Sequence, residues 1–192
     1  MQNFDEKEIS AALNRMSAEL LEAASPQNLV ILGVETAGQV LATRVQHRIY
    51  QETDCMVPVG QLSLNVYRQD RLRSEHFVNL NPSNIPVDLN DRDILLIDTV
   101  MNSGRNIQAA LEAIMDHGHP SAVRTMVLID TQRLVLPVQA NFTGFTVPLS
   151  SDDEVDVQLL EIHGQDQVSC QAQVNAPVSW LTYSHLKGWV LR

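Results

Sequence analysis

Lysine is almost missing from this chain: Lys7 and Lys187 are the only two in 192 residues, and eleven arginines supply the rest of the positive charge. Any phosphate site must then be built from guanidinium groups or from backbone N–H groups. Positive charge is short overall as well. Thirteen Lys and Arg against 23 Asp and Glu leave a net charge of −10, which repels nucleic-acid phosphates at long range, so a broad basic groove for RNA is not expected. Cysteine is limited to Cys55 and Cys170, with no paired spacing, so neither a disulfide framework nor a zinc site is indicated and a reducing cytoplasm is the expected compartment. Apolar runs such as Leu29 to Leu32 fall far short of the roughly 20 residues that span a bilayer. The opening residues, Met1-Gln2-Asn3-Phe4-Asp5-Glu6, lack the basic and apolar regions of a signal peptide, so no membrane association is expected. Internal repeats and low-complexity segments are absent too.

What is present is the composition of a compact protein, 44% hydrophobic and 19% charged, enough to bury roughly 70% of the unfolded surface. The length suits one domain with a modest appendage. Ile9, Leu13, Met16 and Leu20 recur at helical spacing behind acidic Asp5, Glu6 and Glu8, which predicts an amphipathic helix over 5–24. Leu29-Val30-Ile31-Leu32, ended by Gly33, reads as a strand buried on both faces, followed by a glycine loop and a helix carrying Val40, Leu41, Val45 and Ile49. Leu62, Leu64 and Val66 alternate with polar residues, predicting a strand that ends near Tyr67. Residues 68–92 are too polar and too broken by proline for a core element, and a loop this long inside a compact domain is usually functional or disordered.

Further on, Ile94-Leu95-Leu96-Ile97 predicts a second buried strand, Asp98 to Gly104 a loop, and Ile107 to Met115 a helix stopped by Gly118 and Pro120. Val127-Leu128-Ile129 predicts a third buried strand, with shorter strands around 142–147 and 155–162. Apolar strands alternating with amphipathic helices imply an α/β fold, a mostly parallel central sheet with helices on both faces. In such sheets ligands sit at the carboxyl ends of the strands.

The loop after Ile97 is the most informative. A buried strand feeds through Asn102-Ser103-Gly104 into a helix, whose unpaired first N–H groups and positive dipole end suit an anion. Ser103 adds a hydroxyl, Gly104 permits close backbone approach, and Asn106 adds an amide donor, while Asp98 is placed to hold a sugar hydroxyl or a metal-bound water. The same pattern also serves as a plain helix cap, and the local sequence leaves both readings open. His117 and His119 read as C-terminal caps, and Asp152, Asp153, Glu154 and Asp156 as a solvated acidic turn.

The segment Ile94 to Asn106 resembles the phosphoribosyl-diphosphate (PRPP) motif of type I phosphoribosyltransferases, with Asp98, Ser103 and Gly104 at matching positions. The chain resembles still more closely the PyrR type of that family, a pyrimidine-operon regulator that is also a uracil phosphoribosyltransferase. The similarity runs from about residue 5 to about 165 through Gly33-Val34, Pro58-Val59-Gly60, Tyr67-Arg68, Ile85-Pro86-Val87-Asp88, Ala109-Ala110-Leu111, Leu136-Pro137 and Gly144 with Pro148.

The resemblance implies the type I phosphoribosyltransferase fold and a reaction of uracil with PRPP to give UMP and pyrophosphate, with Mg2+ carried in by PRPP and no metal ligands from the protein. It implies Asn102, Ser103, Gly104, Arg105 and Asn106 at the 5'-phosphate, Asp98 and Thr99 at the ribose, and Arg68 assisting with pyrophosphate. A pyrophosphate loop would comprise Val34, Glu35, Thr36, Ala37 and Gly38, and a base site Asp130, Leu136 and Pro137, under a mobile hood at about 68–88. A domain over 1–165 is expected, with an extension over 166–192 packing on the domain or a neighbouring subunit of a homo-oligomer, a dimer or larger.

Departures from the family pattern bear on activity. The second acidic position of the PRPP motif is Thr99, its final Thr or Ser is Asn106, and Glu35 and Ala37 stand where basic residues are common. A unit charge about 5 Å from a phosphate at an effective dielectric near 20 is worth on the order of 3 kcal/mol, so Glu35 facing the ligand would weaken PRPP binding about 100-fold. The family's Asp-Arg-Gly-His-Arg-Glu-Leu-Pro run appears as Asp130-Thr131-Gln132-Arg133-Leu134-Val135-Leu136-Pro137, with only its ends kept. A weakened or absent transferase activity is therefore expected, and the alternative is a non-catalytic nucleotide-sensing regulator or partner-binding protein.

Overall fold

The computed structural model describes residues 2–64, 82–150 and 153–171. Arg68, most of the 68–88 loop and most of the C-terminal extension, including both tryptophans, lie outside the described residues.

A five-stranded, wholly parallel sheet forms the centre, in the order β3-β2-β4-β5-β6. Its strands are β2 (Leu29–Val34), β3 (Val59–Leu62), β4 (Asp93–Met101), β5 (Ala122–Asp130) and β6 (Phe142–Thr146). Every residue of β2 is buried, as a central strand with helices on both sides requires. One face packs α1 (Glu6–Ala23) and α2 (Glu35–Thr53), where Ile9, Leu13, Leu41 and Val45 meet Leu29, Ile31, Leu95 and Ile97. The other face packs α3 (Arg105–His117), where Ile107, Ala110 and Ile114 meet Val30, Leu32, Ile94 and Leu96. Successive side chains of β2 and β4 thus alternate between two cores.

The first helix is closed by a capping box: Glu8 N–H donates to Asp5 Oδ1 and Asp5 N–H to Glu8 Oε2, both at 2.9 Å. Such a box satisfies two otherwise unpaired donors at once. Ahead of it, β1 (Gln2–Asp5) was not anticipated. It pairs antiparallel with β8 (Gln167–Gln171), which pairs in turn with β7 (Glu154–Gln158), giving a second sheet of three strands. Phe4 of β1 stacks on Phe145 of β6 with ring centroids 3.8 Å apart. The strand expected around 155–162 is β7 as far as Gln158, and the short helix α4 (Leu160–His163) takes the rest of that segment.

Arg44 of α2 clamps this small sheet to the main body. Its guanidinium donates to Glu161 and to Asp166, at 2.5 and 2.7 Å from Nη2. The hydrogen bonds to Glu161 outweigh the desolvation of Arg44 and hold its pKa above the ordinary arginine value. Glu161 is lowered chiefly by its hydrogen bond to Arg44. For Asp166, burial pushes upward most strongly, yet the Arg44 and Leu160 hydrogen bonds together win and its pKa lies below the usual carboxylate value.

Three further expectations are corrected. The strand expected through Leu62 and Leu64 lies earlier: β3 is Val59–Leu62, because parallel pairing with β2 fixes Ile31 opposite Val59 and Val34 opposite Leu62, while Val66 and Tyr67 lie outside the described residues. No glycine loop separates β2 from α2, since Glu35 adopts a left-handed φ of 53° and turns the chain directly into the helix. Nor does β4 end at Ile97; it runs through Asp98, Thr99 and Val100 to Met101, held by β5 as far as Met101 opposite Asp130.

Candidate functional site

The chain runs outward from β2 to β3 and then returns to β4 on the other side of β2. The carboxyl ends of β2 and β4 therefore flank the point where strand order reverses, the crevice in which open α/β sheets take ligands. Two glycines bring α2 against this edge. A Cβ on Gly38 would lie 2.7 Å from the Ile97 carbonyl oxygen, and one on Gly33 2.4 Å from the Gln39 backbone. Neither separation is possible for a side chain, so the first turn of α2 sits hard against β4 one residue before Asp98.

Asp98 is buried, at 5% exposure. Its Oδ1 accepts the Thr99 N–H at 2.7 Å and its Oδ2 accepts the Asn106 side-chain amide at 3.1 Å. A buried carboxylate demands such donors, and here they tie the strand to the first turn of α3. Asn106, expected to donate to an anion, commits part of its amide to Asp98 instead.

Between these residues the chain turns through Asn102, Ser103 and Gly104. Gly104 has φ of +84°, and a Cβ there would meet Val138 Cγ2 at 2.6 Å, so both backbone and space demand glycine. In the first turn of α3, Gln108 N–H reaches Gly104 O at 3.0 Å and Arg105 N–H reaches Ser103 Oγ at 3.5 Å. Among the described residues, no protein acceptor stands on the N–H groups of Asn106 and Ile107. They belong to the unsatisfied donors of a helix start, which carry its positive dipole end. The turn opens on a cavity of about 200 Å³, lined by Asn102, Ser103, Gly104 and Asn106 with Val100, Met101 and Ile107 as apolar wall. This space is large enough for a tetrahedral anion and several waters against the turn.

The segment after β5 backs this turn. Ser103 O accepts the N–H groups of Val135 and Leu136 at 3.1 and 3.3 Å, and Leu134, Leu136 and Val138 crowd Gly104. Leu136, assigned to a base site by resemblance, thus packs behind the turn. Asp130 ends β5 and accepts the Gln132 N–H at 2.8 Å, with Gln132 at φ 55°. Pro137 is exposed at the same rim. Thr131, which sequence reasoning did not single out, is 1% exposed and bonds to Met101 and Asn102. Its one sequence signal is its place immediately after a strand at the carboxyl edge.

The expected pyrophosphate loop is not a loop. Val34 is the last residue of β2, and Glu35, Thr36, Ala37 and Gly38 form the first turn of α2. The Glu35 carboxylate accepts the Leu64 N–H at 3.1 Å. It thereby ties the helix start to the chain leaving β3, with one oxygen already engaged. Among the described residues no helix is long and apolar enough to cross a membrane.

Comparison with known proteins agrees with this layout. The profile of the family described as "Phosphoribosyl transferase domain" matches residues 2–161. The chain is 35% identical over 170 residues to the bifunctional protein PyrR of Limosilactobacillus fermentum, covering 87% of this chain and 95% of that one. It is 38% identical over 169 residues to the bifunctional protein PyrR of Oceanobacillus iheyensis, covering 86% and 94%. Among solved structures, a hypoxanthine-guanine phosphoribosyltransferase of Bacillus anthracis superposes with a TM-score of 0.66 at 15% identity, over 88% of this chain and 98% of that chain. A hypoxanthine phosphoribosyltransferase of Staphylococcus aureus gives 0.65 at 15%, over 88% and 91%. At that identity the structural likeness speaks for the α/β fold alone.

Proposed function

The chain belongs to the phosphoribosyltransferase family, in its PyrR-like branch, and from that premise we propose that it binds a phosphoribosyl ligand, UMP or PRPP, at the turn between β4 and α3. The observation that carries this reading is the turn itself, where Asn106 and Ile107, whose N–H groups have no protein acceptor among the described residues, line a small cavity next to buried Asp98. In this reading the 5'-phosphate takes those N–H groups and the Ser103 hydroxyl, with Asn102, Gly104 and Arg105 shaping the turn. Asp98 accepts from the ribose hydroxyls.

The transfer itself joins uracil N1 to the ribose C1 of PRPP as the bond from C1 to pyrophosphate breaks and the N1 proton is released, giving UMP. Two features of this chain weaken it. Thr99 provides no second carboxylate for the ribose. Glu35 sets negative charge at the helix start next to which a diphosphate would lie, although its bond to Leu64 draws the carboxylate toward β3. Among the described residues no group of three or more His, Cys, Asp or Glu gathers as a metal cage. Mg2+ would enter with the diphosphate, and Asp98 would be the carboxylate placed to hold one of its waters. When bound, the ion offsets charge on the leaving pyrophosphate. Arg68 is assigned to the pyrophosphate, and the rim formed by Asp130, Leu136 and Pro137 to the base.

A second reading, a nucleotide sensor without turnover, is favoured by the same Thr99 and Glu35. The proposal also includes a homo-oligomer in which 166–192 packs on the domain or on a second copy. Titration with UMP, followed by an assay of UMP formation from uracil, PRPP and Mg2+, tests the reading. Saturable UMP binding supports it, turnover then separates enzyme from sensor, and the absence of binding by any phosphoribosyl ligand overturns both.

A further inference from the structure

We infer that Thr131 is a positioning residue for the anion site: its hydroxyl fixes which end of the Asn102 side-chain amide faces the cavity. The inference rests on the phosphoribosyl reading above. Thr131 is 1% exposed, one residue beyond β5, and makes three contacts to the β4–α3 turn. Its N–H donates to Met101 O at 3.0 Å, and its Oγ1 lies 3.2 Å from Met101 O and 3.3 Å from Asn102 Oδ1.

A threonine hydroxyl has one proton to give. Met101 O, which lies 3.2 Å from the hydroxyl, already receives the Thr131 N–H, whereas no other donor reaches Asn102 Oδ1 among the described residues, so we assign that proton to Asn102 Oδ1. With Oδ1 held by the hydroxyl, Nδ2 turns away from Thr131 as a donor on the cavity that Asn102 lines. Without the hydroxyl the two ends of the amide are no longer distinguished. The end carrying oxygen is repelled by an anion, while the end carrying N–H is attracted, so orientation decides the sign of Asn102's contribution. Buried polar partners fix such choices more firmly than exposed ones, because the unsatisfied alternative costs desolvation.

The role also joins two parts of the site. Thr131 sits between Asp130, on the rim assigned to the base, and the turn assigned to the phosphate, so a displacement of the segment after β5 would be felt at Asn102. Ser103 O, which receives the Val135 and Leu136 N–H groups, is the second strut between the same two segments.

The test is a double-mutant cycle read by calorimetric titration with UMP, with uridine as the phosphate-free control. Thr131→Val keeps shape and the backbone N–H but removes the hydroxyl, and is expected to weaken UMP about tenfold and to leave uridine unchanged. Thr131→Ser restores the hydroxyl and is expected to stay within about threefold of the parent. In an Asn102→Ala background, Thr131→Val should add no further loss, since the two then act through one group. A Thr131→Val protein that binds UMP like the parent overturns the inference alone, as does a tenfold loss that persists in the Asn102→Ala background. If Thr131→Val does not fold, a Thr131→Ser protein that loses UMP binding overturns it. A parent that fails to bind UMP overturns the proposed function, and the inference falls with it.

Discussion

The Asn106 side-chain amide donates to Asp98 Oδ2 at 3.1 Å, joining the first turn of α3 to a buried carboxylate within β4. One carboxylate therefore organises both sides of the candidate site: it receives Thr99 N–H from its own strand and Asn106 from the helix that would carry the phosphate. Asn106→Ala should lower UMP affinity by about three- to tenfold through loss of this tie. Asn106→Asp should do far worse, because two carboxylates would then compete for one proton beside a phosphate. Titration of both variants with UMP checks the order, and an Asn106→Asp protein binding as well as Asn106→Ala would contradict it.

Gly104→Ala meets two obstacles at once, a φ of +84° and Val138 Cγ2 at 2.6 Å. The expected cost is about 2–3 kcal/mol, read as a drop of several degrees in Tm, with loss of UMP binding as the turn shifts. Adding Val138→Ala should relieve the contact and recover part of the Tm while leaving the φ strain. Full recovery would show that crowding alone mattered.

Glu35 calls for a gentler replacement than charge reversal, because its carboxylate also accepts the Leu64 N–H. Glu35→Gln keeps an acceptor for Leu64 and removes the charge. PRPP should bind more tightly, by up to about 100-fold if the charge faces the diphosphate, while UMP, which lacks a diphosphate, should change little. Pairing Thr99→Asp with Glu35→Gln should raise UMP formation if these two departures limit it, and equal turnover in parent and double variant would place the limit at the base site.

The clamp at Arg44 predicts an acid dependence. Glu161 and Asp166 have folded pKa values below their ordinary values of 4.5 and 3.8. Their contribution is thus fully present above those ordinary values and is lost as pH falls through the lower folded ones. Urea denaturation should show declining stability below about pH 4, with a smaller slope in Arg44→Met. At pH 7 Arg44→Met should be clearly less stable, since Asp166 would keep a largely buried charge with its cation gone. An unchanged acid slope would remove the clamp from the account.

How much of this was legible beforehand differs from element to element. The buried strands at Leu29 and Ile94 and the helix before Gly118 announce themselves, because continuous apolar runs and 3.6-residue spacing are local signals. The antiparallel sheet is invisible: Gln2-Asn3-Phe4-Asp5 and Gln167 to Gln171 are mostly polar, and each becomes a strand only because the other lies beside it, as in Gln2 opposite Cys170. The end of β4 was misplaced for a related reason. Asp98 and Thr99 read as loop because they are polar, yet strand pairing with β5 carries them into the crevice edge where a polar strand end has a use. The turn at Asn102, Ser103 and Gly104 was legible as an anion cradle, whereas Thr131 and the crowding of Gly104 by Val138 depend on a segment about 30 residues away and leave no local trace.

The central claim is that the β4–α3 turn grips a phosphoribosyl ligand through its main-chain N–H groups. It is tested most directly by NMR of the 15N-labelled protein during titration with UMP. The account predicts saturable shifts concentrated on the amides of Ser103, Gly104, Asn106 and Ile107, with one Kd for all of them. Saturable UMP binding that leaves those amides unmoved, or no binding at all, would contradict it.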